Sequence, residues 1–135
     1  MPCSAKPALT PAGFFYMQIK AMDDEKEIRW VGSAYSDLLA FPEEPRSAAG
    51  FQLGKIQAGL DPDDWKPFDD VGAGTKEIRI REASGIYRVM YVAKFEEAVY
   101  VLHCFQKKTQ ATSKQDKHIA EVRYRAVAHA KKGEN

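Results

Sequence analysis

The 135-residue chain has two cysteines, no long apolar run and almost no net charge. Cys3 and Cys104 lie far apart and lack any CxxC or CxxH company, which argues against a disulfide framework and against zinc. No stretch approaches the roughly 18–20 apolar residues that a membrane span needs. The N-terminus carries Lys6 but nothing like the apolar segment of a secretory signal. These absences lead us to expect a reducing, cytoplasmic setting without a membrane partner. Nucleotide-binding and hydrolase signatures are missing too: the chain has no P-loop, GxGxxG, HExxH or G-x-S-x-G. Asp61, Asp63, Asp64, Asp69 and Asp70 crowd one segment but lack EF-hand spacing, so neither a metal nor another cofactor is expected.

What is present is enough apolar residue, 44%, to fill one core, and a charge that is a cancellation. Residues 1–75 hold 7 Lys+Arg against 12 Asp+Glu, a net −5, whereas residues 76–135 hold 13 against 7, a net +6. Such asymmetry hints at nucleic-acid or acidic-partner binding.

Residues 1–25 carry three prolines and no regular period, so they read as a flexible N-terminal extension, with translation from Met22 as a second reading. A single domain is expected over 26–132. KEIRWV (26–31) is β-prone, and Ser33 offers a helix cap for AYSDLLAF, which Pro42 stops. A second helix over about 43–58 places Ala49, Leu53 and Ile56 on one face and ends near Gly59. Residues 60–74, with two prolines, two glycines and five aspartates, read as loop, pinned by Trp65 and Phe68. Three strands are expected in KEIRIR (76–81), IYRVMYVA (86–93) and AVYVLHCF (98–105), joined by short turns into an antiparallel meander. Ser113 with Asp116 resembles a capping box, followed by Ile119, Val122, Ala126 and Ala130 at helical spacing. The expected fold is α+β, in the order β-α-α-β-β-β-α, with a mainly antiparallel sheet and helices on one face.

Turn lengths set a register for the meander. A turn over 82–85 puts Arg79 opposite Arg88, and a turn over 94–97 puts Arg88 opposite His103. Strand alternation then gathers Arg79, Arg81, Arg88 and His103 on one face, and Ile78, Ile80, Val89, Tyr91, Tyr100 and Leu102 on the other. Two arginines directly across a ladder are unfavourable unless something anionic lies near them. Lys107 and Lys108 follow at the strand end. Arginine grips a phosphate with two parallel hydrogen bonds and lysine adds a point charge, so the set suits a phosphodiester, although surface cations on strands are also often merely solvated. RNA cleavage by such a set would use the 2′-hydroxyl as nucleophile and cations to stabilise the phosphorane. The base would be an amine or imidazole whose pKa is lowered by its cationic neighbours. His103 is a candidate for that proton transfer, though a lone strand histidine is more often structural.

WKP, VGAGTKEIRI, YRVMYVAKF and VLHCFQKKTQ, in that order, make residues 27–127 resemble the phage-derived HigB-like toxins of the RelE/ParE superfamily. The resemblance implies a small RelE-like domain and a type II toxin. Such a toxin would be a ribosome-dependent mRNA endonuclease that inhibits translation, held in a hetero-oligomer by a cognate helix-turn-helix antitoxin. It matches the family's basic residue before the first hairpin turn to Arg79, with Arg81 beside it. The family's Gly-Tyr-Arg arginine matches Arg88, although Ile86 separates Gly85 from Tyr87, and its basic pair matches Lys107 and Lys108. Catalytic roles are thereby implied for Arg79, Arg88, Lys108 and His103, and RNA contacts for Lys76, Arg81, Lys107 and Lys114. Lys114 stands where RelE itself has a tyrosine, so RelE's acid and base do not transfer directly. Two other readings stay open: a ParE-like poison of DNA gyrase, and a non-catalytic RNA- or ribosome-binding module.

Overall fold

The computed structural model describes residues 25–109 and 111–133, so the extension expected over 1–25 lies almost wholly outside the described residues. Strand β1 (Glu27–Trp30) leads into helix α1 (Ala34–Leu39), which ends before Pro42, and into helix α2 (Glu43–Gln57). Glu43 and Glu44 occupy the first turn of α2 and Lys55 its last, each favourable to the helix dipole. Gly59, at φ 87°, takes the left-handed turn after α2 that residues with a Cβ avoid. Ser33 does not cap α1 as expected: its hydroxyl donates to Asp37 Oδ2 at 2.7 Å and accepts from Arg123 Nη2 at 3.0 Å.

The aspartate-rich segment contains a short strand, β2 (Trp65–Pro67), that its loop-like composition concealed. It pairs with β3 (Thr75–Glu82), which continues through a two-residue turn into β4 (Gly85–Val92), and β5 (Ala98–Lys107) follows. The five-stranded sheet has the order β1-β5-β4-β3-β2, with β1 parallel to β5 and every other pair antiparallel. Helix α3 (Lys114–Gly133) is the last described element, and Ser113 caps it as one half of a capping box: its Oγ accepts from the Asp116 amide at 3.0 Å and donates to Asp116 Oδ2 at 2.8 Å.

The register between β3 and β4 is the expected one, with Arg79 opposite Arg88. Between β4 and β5 it is not: Arg88 faces Phe105, and His103 faces Met90. The connection after β4 is one residue longer than the sequence suggests, and a bulge between Met90 and Tyr91 leaves Leu102 as the extra residue on β5. The two offsets add, so His103 keeps its side of the sheet. Below the bulge only the first offset acts, which moves Tyr100 and Leu102 to the opposite side and brings Val99 and Val101 against Tyr91.

Both faces of the sheet are therefore covered, which corrects the expectation of helices on one face. Ala34, Leu38, Ala49, Leu53 and Ile56 of α1 and α2 pack on Ile78, Ile80, Val89, Val99 and Val101. Cys104 belongs to this core, and burial pushes its thiol up to about 12. The second core joins Met90, Val92, Leu102 and Phe105 to Phe68, Val71 and the Ala120 and Val127 of α3. Full burial of a side chain such as Val127 contributes about 1.5–3 kcal/mol. The core-facing stripe of α3 is Ala120, the half-buried Tyr124 and Val127, whereas Val122, Ala126 and Ala130 of the expected stripe are exposed. Tertiary contacts chose between the two stripes. The Tyr124 ring lies flat on Gly72, where any Cβ would collide with it, and its hydroxyl donates to the Ala73 carbonyl at 2.7 Å. Arg123 Nη1 adds a bond to the Leu102 carbonyl, exposed by the bulge, at 2.9 Å.

Candidate nucleic-acid interface

The second core covers only the lower part of its sheet face. Beyond it, Lys66, Arg79, Arg81, Arg88, Lys107 and Lys108 line an open cleft of about 630 Å³. Alternation along β3 and the Lys66–Glu77 pairing of β2 with β3 bring these side chains to one side. Lys66 is the member that the sequence reading missed. Its signal was present in the WKP motif, but only the strand hidden in the loop reveals the side it faces.

Beneath the cations lies Glu77, fully buried. Its Oε1 is 3.5 Å from Arg88 Nε and 3.9 Å from Lys66 Nζ, and its Oε2 accepts from Thr112 Oγ1 at 3.2 Å. Arg79 Nε is 3.4 Å from Asp64 Oδ1, and its amide donates to the Asp64 carbonyl at 2.8 Å. Part of the anionic neighbourhood that two facing arginines require is thus the protein's own. It does not neutralise the cleft: six cations meet two carboxylates, and Arg81, Lys107 and Lys108 have no ion-pair partner among the described residues.

Arg88 is 4% exposed, and its one hydrogen bond to protein runs from Nη1 to the Tyr87 carbonyl at 3.2 Å. Its Nε is buried against Glu77, so three of the five N–H donors, all on Nη1 and Nη2, are left for an anion entering the cleft. Burial lowers its pKa from the usual arginine value, the Glu77 carboxylate pulls the other way, and Arg79 and Arg81 lower it further. Lys107 is also lowered, first by desolvation and then by the charge of Arg88, against a smaller opposing pull from Glu77. A lysine in that setting surrenders its proton more readily than one in open solvent.

Three expected site residues stand elsewhere. Lys76 projects from the opposite face of β3, 3.6 Å from Asp61 and 4.4 Å above the Trp65 ring, because it is one residue out of phase with Glu77 and Arg79. Lys114 is exposed at the first turn of α3, outside the cleft lining. His103 shares a sheet face with Arg88, but it is buried under the start of α3. Its Nε2 lies 2.7 Å from Asp116 Oδ1, and its ring stacks on Phe105 at 4.9 Å. It ties β5 to α3 and does not reach the cleft. Tyr124 is likewise committed to the 60–74 segment.

No helix among the described residues is long and apolar enough to cross a membrane. A search of curated proteins gives no match to the chain. Residues 36–125 match the family described as "Phage derived protein Gp49-like (DUF891)". That span runs from α1 to within α3 and contains all six cations of the cleft. The chain therefore belongs to the Gp49-like phage-derived family, a toxin-like family related to the RelE/HigB type.

Proposed function

We propose that the chain is the toxin of a type II toxin–antitoxin pair and a metal-independent, ribosome-dependent mRNA endonuclease of the HigB kind. The observation that carries this reading is the cationic cleft, in which Arg79 and Arg88 face each other across one hairpin with Lys66, Lys107 and Lys108 around them. A phosphodiester in this cleft meets the free donors of Arg88. The 2′-oxygen attacks the adjacent phosphorus and the P–O bond to the 5′-oxygen breaks, leaving a 2′,3′-cyclic phosphate and a 5′-hydroxyl. Arg88 and Arg79 stabilise the added charge of the phosphorane, and both remain cations throughout. Neutral Lys107 accepts the 2′-hydroxyl proton, and Lys108, as an ammonium, protonates the leaving oxygen. Lysine takes the base role in place of His103, which is held by Asp116. Arg81 and Lys66 hold flanking phosphates. The setting is the cytoplasm, and a cognate helix-turn-helix antitoxin neutralises the toxin in a hetero-oligomer.

The test is in vitro translation of a defined mRNA with the purified protein, followed by mapping of 5′ ends by primer extension. Codon-phased cuts are expected, reduced roughly 10²-fold or more by Arg88→Ala, the scale of losing one oxyanion donor. Intact mRNA together with arrested DNA supercoiling would replace this reading with a gyrase poison. Ribosome binding without cuts would leave a binding module.

A further inference from the structure

The cleft does not end at its cations. Lys66 and Lys107 also form the rim of a second cavity of about 300 Å³, floored by Phe68 and bordered by Asp69, Asp70 and Thr112. The two cavities share those lysines and so form two lobes of one groove, one strongly cationic and the other mixed. The floor is firm: Phe68 is 8% exposed, its ring lies within the second core, and its amide donates to the Thr75 carbonyl at 2.8 Å. Lys66 Nζ lies 5.3 Å and Lys117 Nζ 5.9 Å over the ring centroid, so two ammonium groups stand above the Phe68 floor and give the lobe a cationic wall. Asp69 and Asp70 are exposed at the mouth, Asp70 being 3.9 Å from Lys117. The Thr112 hydroxyl is tied to Glu77, the carboxylate that also faces Arg88, so the border of this lobe and the phosphate-holding arginine are set by one buried group.

We infer that this second lobe is a nucleobase subsite for a base with an exocyclic amino group, carried by the nucleotide next to the phosphate held in the cleft. This deepens the RNA reading above and rests on it. Single-stranded RNA is recognised by splaying a base out, placing its flat face on apolar or cationic side chains and bonding its edge. The volume is at the lower end for a ligand pocket, which suits one base and not a longer segment. Carboxylates only accept at neutral pH, so Asp69 and Asp70 favour the amino groups of cytosine, adenine or guanine over the O4 carbonyl of uracil. The shared lysine rim keeps the base within one nucleotide of the phosphate.

The test reads amide chemical shifts of ¹⁵N-labelled protein titrated with 5′-CMP, 5′-AMP, 5′-UMP and inorganic phosphate. Phosphate should move amides of the cationic lobe alone, at Arg79, Arg88 and Lys107. CMP or AMP should also move Phe68, Asp70 and Thr112, and UMP should do so with an affinity about fivefold weaker, the discrimination of a single edge hydrogen bond. The double variant Asp69→Ala, Asp70→Ala should bind all three nucleotides alike. Shifts confined to the cationic lobe for every probe would overturn the subsite, as would equal responses to CMP, AMP and UMP in the wild-type protein. Failure of the endonuclease reading is separable. Base-dependent shifts with uncut mRNA would remove the reaction and leave the subsite, whereas codon-phased cutting with no shift at Phe68 or Thr112 would remove the subsite alone.

Discussion

Replacing Glu77 with glutamine tests whether the cleft is organised from beneath. The variant keeps the shape of the side chain and an oxygen for Thr112, but removes the one buried anion beside Arg88 and Lys66. At the 3.5 Å separation from Arg88, and an effective dielectric of about 20, the lost attraction is about 5 kcal/mol. Glutamine also avoids the desolvation cost of a buried carboxylate, which offsets several kcal/mol of that loss. Water entering the open cleft relieves the unpaired guanidinium further. A net destabilisation of about 2 kcal/mol results, or roughly 8–10 °C in Tm for a domain of this size. Function should split in a way that a purely structural role would not produce. Without its counter-charge the cleft gains one unit of positive potential, so a non-cleavable 2′-deoxy-substituted oligonucleotide should bind as tightly as to wild type or more so. Cleavage in translation extracts should nevertheless fall at least tenfold, because Arg88 is no longer held. Thermal melts by circular dichroism, fluorescence polarisation across a salt series and primer extension supply the three readings. A variant that melts within 2 °C of wild type and cuts at an undiminished rate would refute the role given to Glu77.

Lys107, lowered by desolvation and by Arg88, should give a cleavage rate that rises with pH and levels off below the ordinary lysine range of about 10.4. Lys107→Met should abolish that limb while leaving a slow, pH-flat residue of activity; an unchanged profile would take the base role from Lys107. Glu97 is held down to about 2, first by the hydrogen bond from Tyr100 and then by that from Lys131. A depressed carboxylate stabilises the fold above its unfolded value near 4.5 and loses that contribution as pH falls towards 2. Urea midpoints measured between those pH values should therefore decline more steeply for wild type than for Glu97→Gln.

Much of the domain is readable along the chain because it depends on local rules. Pro42 and Gly59 bound the helices, short turns join the strands, and period-two alternation places Arg79 and Arg81 together. The pairing of Arg79 with Arg88 follows from a two-residue turn, which leaves little freedom of register. Between β4 and β5 the longer connection and the bulge at Leu102 leave that freedom, and Tyr100 and Leu102 changed sides as a result. Strand β2 was hidden because Trp65–Pro67 is short and set among prolines and aspartates.

The sequence by itself determined the order of every element except β2, the two facing arginines and the concentration of positive charge after residue 75, all products of local geometry and composition. Only the tertiary structure decided which cations converge. It recruited Lys66 through a strand that exists by pairing with β3. It also buried Glu77 beneath Arg88, and it withdrew His103 under α3. Convergence depends on sidedness across several strands and on where a helix docks, and a single bulge or a choice between two helix stripes resets both.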